Sequence, residues 1–204
     1  CFRQYIATPD KLMSTELAFK LIDQLAEQNV PSVKFNWRGE PLMNRDLPKI
    51  IDYAKKNGGL ETIINTNATL LEGNYAEELM SSGLDLLIYS FDGGSKKTYD
   101  KLRVGRFKEN KFENIIKNIE NFDNLKKQKK SVFPRTKIQM VLTKETYDEQ
   151  DQYFSLFKNI VNDVSVKQYT ERGGDIKESE IGKEKLKKDK IYMKNFDGEL
   201  FVSE

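Results

Sequence analysis

Apolar residues along the chain follow two alternating spacings, and the alternation repeats five times. Short runs rich in β-branched and aromatic residues end in polar or glycine residues, and stretches with apolar residues three and four positions apart lie between them. The strand-like runs cover residues 32–39, 61–68, 84–94, 136–145 and 163–174. Alternating strands and helices are typical of a parallel sheet, because parallel neighbours need a crossover connection that a helix usually supplies. The pattern therefore predicts an α/β fold.

The helical stretches carry apolar stripes, and we expect each stripe to face the core. Gly58 and Gly59 follow one of them and Gly83 follows another, and a glycine just past a helix suits the left-handed cap position. The chain starts with a loop and a helix, so we expect that a strand before Cys1 is missing from it. The stripes are Leu17, Leu21, Ile22 and Leu25; Leu47, Ile50, Ile51 and Ala54; Ala76, Leu79 and Met80; Phe112, Ile115, Ile116, Ile119 and Phe122; and Phe154, Phe157, Ile160 and Val161.

Composition and charge narrow the class of protein. A chain of 204 residues with 38% apolar side chains can bury one sizeable core. The 34 basic and 32 acidic side chains leave a net charge of +2, which provides no strong attraction to nucleic acid or to an anionic membrane. No apolar run approaches the roughly 20 residues of a membrane-spanning helix, and no signal-peptide pattern is present. We expect a cytoplasmic protein with neither a membrane nor a nucleic acid as partner.

A change of composition near residue 176 predicts a domain boundary. Residues 177–190 are rich in lysine and poor in apolar residues, and the pattern of a hairpin returns around Asp197-Gly198. We expect a main domain over residues 1–176, followed over residues 177–204 by a charged linker and the start of a C-terminal extension. The lysine runs at 125–130 and 182–190 lack interleaved aromatic residues, which favours solvated loops over a nucleic-acid surface.

The cysteine and histidine counts exclude several kinds of site. Cys1 is the single cysteine and there is no histidine, so an internal disulfide framework, a His-rich zinc site and a nucleophile-histidine pair are all excluded. Chemistry must then rely on carboxylates, amides, arginines or a bound cofactor. A first residue other than Met also indicates a piece excised from a longer protein.

Polar residues gather where the first two predicted strands end, and parallel α/β folds bind ligands at that edge. Pro41 restricts Glu40 to extended geometry, and we expect the backbone carbonyls of this segment to be free to accept from an ammonium group. An ordinary strand-to-helix turn is the alternative. Asn65 and Asn67 share one face, where they either cap the next segment or contact a ligand.

The third strand-like run ends in a second polar group. Ser90 and Asp92 alternate with Phe91, so both can point to the same face. The alternative for Asp92 is an Asx-type turn at the glycines that follow it. Arg103 either pairs bidentately with a ligand carboxylate or forms a surface salt bridge with Asp100 or Asp92.

Taken in order, these segments resemble the core of the radical S-adenosylmethionine (SAM) enzymes. The resemblance covers residues 1 to about 175 and is closest to members that carry a C-terminal cluster-binding SPASM extension. It implies a partial parallel (β/α)6-type TIM barrel whose first strand is missing here. The segments that carry it are "CFR", "RGEPL", "NTNATLL", "SFDGGSKKTYDKLRVG" and "FENIIKNI".

The resemblance implies a cofactor system. Cys1 would be the third ligand of a C-x3-C-x2-C loop that holds a 4Fe-4S cluster, with the other cysteines three and seven residues upstream. Soft thiolates suit such a cluster. Reductive cleavage of SAM would give a 5'-deoxyadenosyl radical that abstracts a hydrogen atom from a sugar, small metabolite or peptide. The electron donor would be a reductant such as flavodoxin or ferredoxin.

The resemblance also implies which residues bind SAM. The Gly39 to Pro41 segment would receive the SAM ammonium through backbone carbonyls, and Ser90 and Arg103 would meet its carboxylate or ribose. Asn67 and Asp92 would make further polar contacts. The full set is Gly39, Glu40, Pro41, Asn67, Ser90, Asp92 and Arg103.

Two other functions are compatible with the sequence. One is a barrel-derived binding protein that has no cluster. The other is a phosphate-binding (β/α) barrel enzyme that works through Asp92 and Lys144, which rests on the fold class alone.

Overall fold

The computed structural model describes residues 11–36, 39–103 and 111–169, together with the backbone of two short strands near the C-terminus. The helices in these residues are α1 (Thr15–Glu27), α2 (Leu47–Gly58), α3 (Gly73–Ser81), α4 (Lys96–Leu102), α5 (Phe112–Gln128) and α6 (Gln150–Phe157). The strands are β1 (Ser32–Lys34), β2 (Glu61–Thr66), β3 (Leu86–Ser90), β4 (Arg135–Leu142), β5 (Asp163–Gln168), β6 (Tyr192–Lys194) and β7 (Leu200–Val202). None of the described helices is long and apolar enough to cross a bilayer.

Strands β1 to β5 form one sheet in the order β1-β2-β3-β4-β5. The described pairings are parallel: Ser32 lies opposite Glu61 in β1 and β2, and Asn65 lies opposite Ile88 in β2 and β3. Strands β4 and β5 pair in the same sense. From β1 to β5, at least one helix lies between each pair of consecutive strands. The predicted α/β class and the five predicted strands are confirmed.

The chain divides into two compact units, each made of segments that are distant in the sequence. The first unit contains residues 8–89 and 114–136, and the second contains residues 1–7, 90–113 and 137–204. Residue 176 itself lies outside the described residues, so the boundary stays a prediction.

In the first unit, α1 and α2 enclose a small core. Ala18 and Ile22 of α1 pack with Ile50 and Ala54 of α2 and with Leu60, which leads into β2. The predicted end of α2 is confirmed, because the residue after it is a glycine at φ 59° whose N–H donates to the Ala54 carbonyl.

The apolar stripe predicted for α1 was wrong in part. Ala18 and Ile22 are 3% and 2% exposed, whereas Leu17 and Leu21 are 48% and 40% exposed. The four residues lie on adjacent parts of one broad apolar stripe, and only the Ala18 and Ile22 side of it faces α2. Leu21 lines a cavity with Val33 of β1, the outer strand on that side of the described sheet.

In the second unit, an aromatic cluster holds the helices. The Phe91 ring lies 4.3 Å from that of Tyr99 in α4 and 5.0 Å from that of Phe157 in α6, between ring centroids. Tyr153 is fully buried beside them. The helix predicted through Val161 ends earlier, at Phe157, and Val161 packs as a buried residue beyond the helix end. The patterns of the sequence did not predict α4, whose seven residues are too short to show a helical stripe.

The structure describes only the first of the two lysine-rich runs, and most of that run is helical. The run at 125–130 was predicted to be a solvated loop, but residues 125–128 form the end of α5, and Lys126 is 6% exposed. A long lysine stem can lie against apolar surface, and burial lowers the pKa of Lys126. The run at 182–190 lies outside the described residues. The predicted hairpin near the C-terminus is confirmed, since β6 pairs antiparallel with β7.

Candidate functional site

The first group of candidate residues lies in the first unit, just after β1 and β2. Glu40 has φ −99° and ψ 115°, the extended geometry that the proline after it predicts. Pro41–Met43 then forms a short 3-10 turn. This turn leads the chain from the end of β1 toward α2.

The Glu40 carboxylate connects this turn to the end of β2. Its Oε1 accepts from the Leu42 N–H at 3.1 Å and from the Thr66 hydroxyl at 2.6 Å, and its Oε2 accepts from the Asn67 N–H at 2.9 Å. The structure therefore brings two predicted site residues, Glu40 and Asn67, into direct contact. Sequence reasoning assigned no role to this carboxylate, because Thr66 and Asn67 are distant in the chain.

Two of the backbone carbonyls predicted to be free already accept hydrogen bonds. The Glu40 carbonyl accepts from the Met43 N–H at 3.2 Å, and the Pro41 carbonyl accepts from the Asn44 N–H at 3.0 Å. Both bonds belong to the 3-10 turn, so these two carbonyls already have a partner within the protein. No described residue donates to the Gly39 carbonyl, which leaves it as the acceptor of the segment that a ligand can use.

The side-chain amides of Asn65, in β2, and Asn67, just after it, have different environments. Asn67 Oδ1 accepts from the Thr69 N–H at 2.9 Å, so it caps the turn around Ala68, which has φ 61°. The predicted capping alternative is therefore confirmed for this oxygen. Asn65 Oδ1 is buried and has no hydrogen-bond partner in the described part of the chain. A buried acceptor without a donor is costly, which marks Asn65 as a place for a ligand N–H or O–H.

A cavity of about 430 Å³ opens beside the first group. Gly39, Glu40 and Pro41 line it together with mainly apolar side chains, among them Leu21 of α1 and Val33 of β1. The volume is in the range of small-ligand sites. Polar side chains, including Lys34 and Asn36, line the same cavity.

The second group lies in the second unit, around the end of β3. Ser90 is the last residue of β3 and is partly buried. Asp92 Oδ1 accepts from the Val141 N–H at 2.8 Å, and its Oδ2 lies 2.7 Å from Arg103 Nη2. The structure therefore forms the predicted Asp92 salt bridge of Arg103, and both partners are largely shielded from solvent, with 17% and 24% of their side chains exposed.

Glu149 stabilises the start of α4, and sequence reasoning missed it. Its carboxylate accepts from the Gly94 and Ser95 N–H groups at 2.7 and 3.2 Å and from the Ser95 and Thr98 hydroxyls at 2.6 and 2.7 Å. Burial alone would raise the pKa of Glu149, but these hydrogen bonds outweigh it and lower the pKa below its ordinary value. The Gly-Gly-Ser sequence before α4 was a signal for such a cap.

Ligands for a metal are not found in the described residues, where no group of three or more Cys, His, Asp or Glu side chains could hold an ion. Cys1, the predicted cluster ligand, lies outside the described residues. In the first unit, the Gly39 carbonyl and Asn65 Oδ1 are acceptors suited to an ammonium or hydroxyl group. In the second unit, Arg103 is a cation suited to a carboxylate.

Comparison with known proteins identifies relatives of one kind. The sequence profile of the Radical SAM superfamily matches residues 1–157. The chain is 40% identical over 91 residues to Fe-coproporphyrin III synthase of Methanosarcina barkeri, which is 45% of this chain and 22% of the relative. It is 36% identical over 110 residues to a probable GTP 3',8-cyclase of Methanococcus maripaludis, which is 54% of this chain and 35% of the relative.

Solved structures agree in fold. Streptococcus suis SuiB bound to S-adenosylmethionine superposes with a TM-score of 0.65 at 22% identity, over 82% of this chain and 37% of SuiB. SuiB bound to the precursor peptide SuiA superposes with a TM-score of 0.64, over 83% of this chain and 36% of SuiB. The chain thus spans between 22% and 37% of the length of these relatives.

Proposed function

Because the chain belongs to the radical SAM superfamily, we propose that it is the core of an enzyme that cleaves SAM reductively. When bound, a 4Fe-4S cluster supplies the electron that splits SAM into methionine and a 5'-deoxyadenosyl radical, which then takes a hydrogen atom from substrate. Such chemistry belongs to the cofactor, while the protein binds, orients and excludes water. A sequence without histidine, and so without a serine-histidine pair, is compatible with a protein that leaves the bond-breaking chemistry to its cofactor.

The observation that carries the proposal is the connection made by Glu40. Its carboxylate holds Thr66 and Asn67 at the end of β2, and this fixes the Gly39 to Pro41 segment beside the sheet. We propose that the Gly39 carbonyl receives the SAM ammonium. Glu40 and Pro41 then act by shaping the turn, because their own carbonyls accept hydrogen bonds within it.

The polar residues after β2 and β3 supply the remaining proposed contacts. Arg103 would bind the SAM carboxylate, since a guanidinium pairs with a carboxylate through two parallel N–H bonds. Ser90 would donate to the carboxylate or to the ribose. Asn67 would contribute through its amide N–H₂, because its oxygen is already engaged by Thr69. Cys1 would be one of the thiolates that bind the cluster.

The substrate is proposed only as a class. Relatives are named as synthases and cyclases, and SuiB has been solved with a precursor peptide. We propose a sugar, small metabolite or peptide as the donor of the hydrogen atom and a flavodoxin or ferredoxin as the reductant. A cytoplasmic location and a SPASM-type extension belong to the same proposal.

Anaerobic reconstitution of the intact gene product with iron and sulfide tests the proposal. We expect the charge-transfer absorbance of an iron–sulfur cluster, together with binding of SAM in equilibrium dialysis. Cys1→Ala should lose the absorbance. Ser81→Ala, at the exposed end of α3, is the control and should keep it.

The outcomes separate the proposal from its alternatives. SAM binding without any cluster would favour a barrel-derived binding protein. Tight binding of a sugar phosphate with no affinity for SAM would favour a phosphate-binding barrel enzyme that works through Asp92 and Lys144. Either result would contradict the proposed radical chemistry.

A further inference from the structure

We propose that Asp92 is a positioning residue that orients Arg103 toward the SAM carboxylate and does not touch SAM itself. This inference rests on the proposed function and changes the direct SAM contact that the sequence resemblance implies for Asp92. It concerns residues of the second unit alone.

Both oxygens of Asp92 are already used within the protein. Oδ1 accepts from the Val141 N–H at 2.8 Å, and Oδ2 lies 2.7 Å from Arg103 Nη2. The first bond fixes the carboxylate to the backbone of β4. The second therefore fixes the guanidinium relative to that strand. A direct contact between Asp92 and SAM would have to replace one of these two partners.

The electrostatics point in the same direction. SAM carries a carboxylate, and a second carboxylate facing it would repel it, whereas a guanidinium attracts it. The guanidinium offers five N–H donors in one plane. Fixing an arginine side chain costs rotamer entropy, and the Asp92 pair supplies part of that ordering before a ligand binds.

The backbone around the pair is held tightly. Gly93 has φ 114°, and a Cβ atom there would lie 2.9 Å from the Tyr99 N. A Cβ atom at Gly94 would lie 2.7 Å from the Glu149 carbonyl oxygen. Only glycine fits at both positions, so the loop after Asp92 runs against α4 and α6. Arg103 is the C-cap residue directly after α4, and its distance from Asp92 is therefore set by packed backbone.

A double-mutant cycle on the cluster-loaded holoenzyme tests the inference. Asp92→Asn keeps an oxygen for the Val141 N–H but removes the charge that faces Arg103. We expect Asp92→Asn to weaken SAM binding about tenfold when Arg103 is present. In an Arg103→Gln background we expect it to weaken binding less than about twofold, because the effects of substitutions at interacting residues are not additive. Asp92→Glu should restore part of the affinity. Equal weakening in both backgrounds would overturn the inference and would indicate direct contact.

Glu145→Gln is the matched control. Glu145 pairs with Lys101 of α4 at 3.2 Å and is as shielded as Asp92, with 17% of its side chain exposed. It lies in the same unit but does not appear in the proposed contacts with SAM. We expect the SAM affinity of the Glu145→Gln protein to stay within about twofold of that of the wild-type protein. A tenfold loss in this variant would show that any lost pair on α4 disturbs binding, and would also overturn the inference.

A second measurement does not depend on SAM. The guanidinium N–H resonances of Arg103 should show slow rotation in the wild-type protein and fast, solvent-like exchange in Asp92→Asn, as followed by NMR. Unchanged Arg103 resonances would overturn the positioning role. If wild-type protein binds no SAM while these resonances respond as expected, the proposed function fails and the orientation of Arg103 by Asp92 is retained.

Discussion

At the scale of single residues, Glu40 determines how the ends of β1 and β2 are joined. Its two oxygens accept three hydrogen bonds from residues that are either two or at least 26 positions away. The extended backbone at Glu40 was predictable from Pro41, because that restriction is local. The partners of its carboxylate were not predictable, because side-chain hydrogen bonds between distant segments leave no local pattern.

Replacing Glu40 by glutamine should destabilise the protein. A glutamine nitrogen cannot accept, so either the Asn67 N–H or the Thr66 and Leu42 donors would face another donor. We expect a loss of about 1–3 kcal/mol in the free energy of unfolding, measured by urea denaturation. Glu72→Gln, at an exposed position before α3 with no capping bond, should cost less than about 0.5 kcal/mol. Equal effects of the two changes would contradict the role given to Glu40.

Asp85 stabilises the other end of β2. Its carboxylate accepts from the Thr62 N–H at 2.7 Å, from the Thr62 hydroxyl at 2.9 Å and from Lys55 Nζ at 2.9 Å. Burial by itself would raise the pKa of Asp85, but the Thr62 and Lys55 interactions outweigh it and lower the pKa. The charged carboxylate is therefore favoured in the folded state.

The lowered pKa of Asp85 predicts a pH dependence of stability. Its contribution is fully present above the unfolded pKa of about 3.9 and is lost as pH falls through the lower folded value. The difference in unfolding free energy between wild type and Asp85→Asn should therefore be largest above about pH 5 and shrink toward about pH 2. Asp52→Asn, which removes an exposed helical pair with Lys56, should change stability little at any of these pH values. A difference for Asp85→Asn that does not vary with pH would contradict this assignment.

At the scale of elements, periodicity predicted which segments are helices better than which residues they bury. The apolar spacing located α1, α2, α3 and α5, and the shorter α6 was predicted too long. In α1 the apolar stripe is wider than the surface that α2 covers, so the spacing could not indicate that Ile22 is buried and Leu21 is not. Only the packing of neighbouring elements decides this.

Two neighbouring positions of α1 provide the corresponding test. Ile22 is 2% exposed within the core of the first unit, and Ile22→Ala should cost about 2–4 kcal/mol, from lost apolar contact and the cavity left behind. Leu21 is 40% exposed, and Leu21→Ala should cost less than about 1 kcal/mol. Thermal or urea unfolding measures both. Similar costs would show that the two residues are buried alike.

At the scale of the whole molecule, the family and the α/β class were predictable because strand-end motifs occur in a fixed order along the chain. The division into two units was not, because each unit combines segments that are far apart in the sequence. The predicted strand before Cys1 stays a prediction. The cavity beside β1 and the exposed Leu17 and Leu21 are compatible with it.

Residues encoded upstream of Cys1 should change this face if they supply that strand. A strand beside β1 would protect its outer N–H groups and bury Leu17 and Leu21. Hydrogen exchange followed by mass spectrometry should then show slower exchange over residues 15–36 in the extended chain than in residues 1–204. Exchange over residues 47–58, in α2, serves as the internal reference. The same rates in both chains would contradict the predicted strand.

The proposed reductive cleavage of SAM is tested by measuring its products. The holoenzyme, reconstituted anaerobically, is incubated with SAM and a strong reductant, and 5'-deoxyadenosine and methionine are measured by chromatography. We predict that the two products form in equal amounts and that Arg103→Ala lowers the yield. If the cluster of the holoenzyme is spectroscopically intact but no 5'-deoxyadenosine forms, the result would contradict reductive cleavage of SAM by this protein.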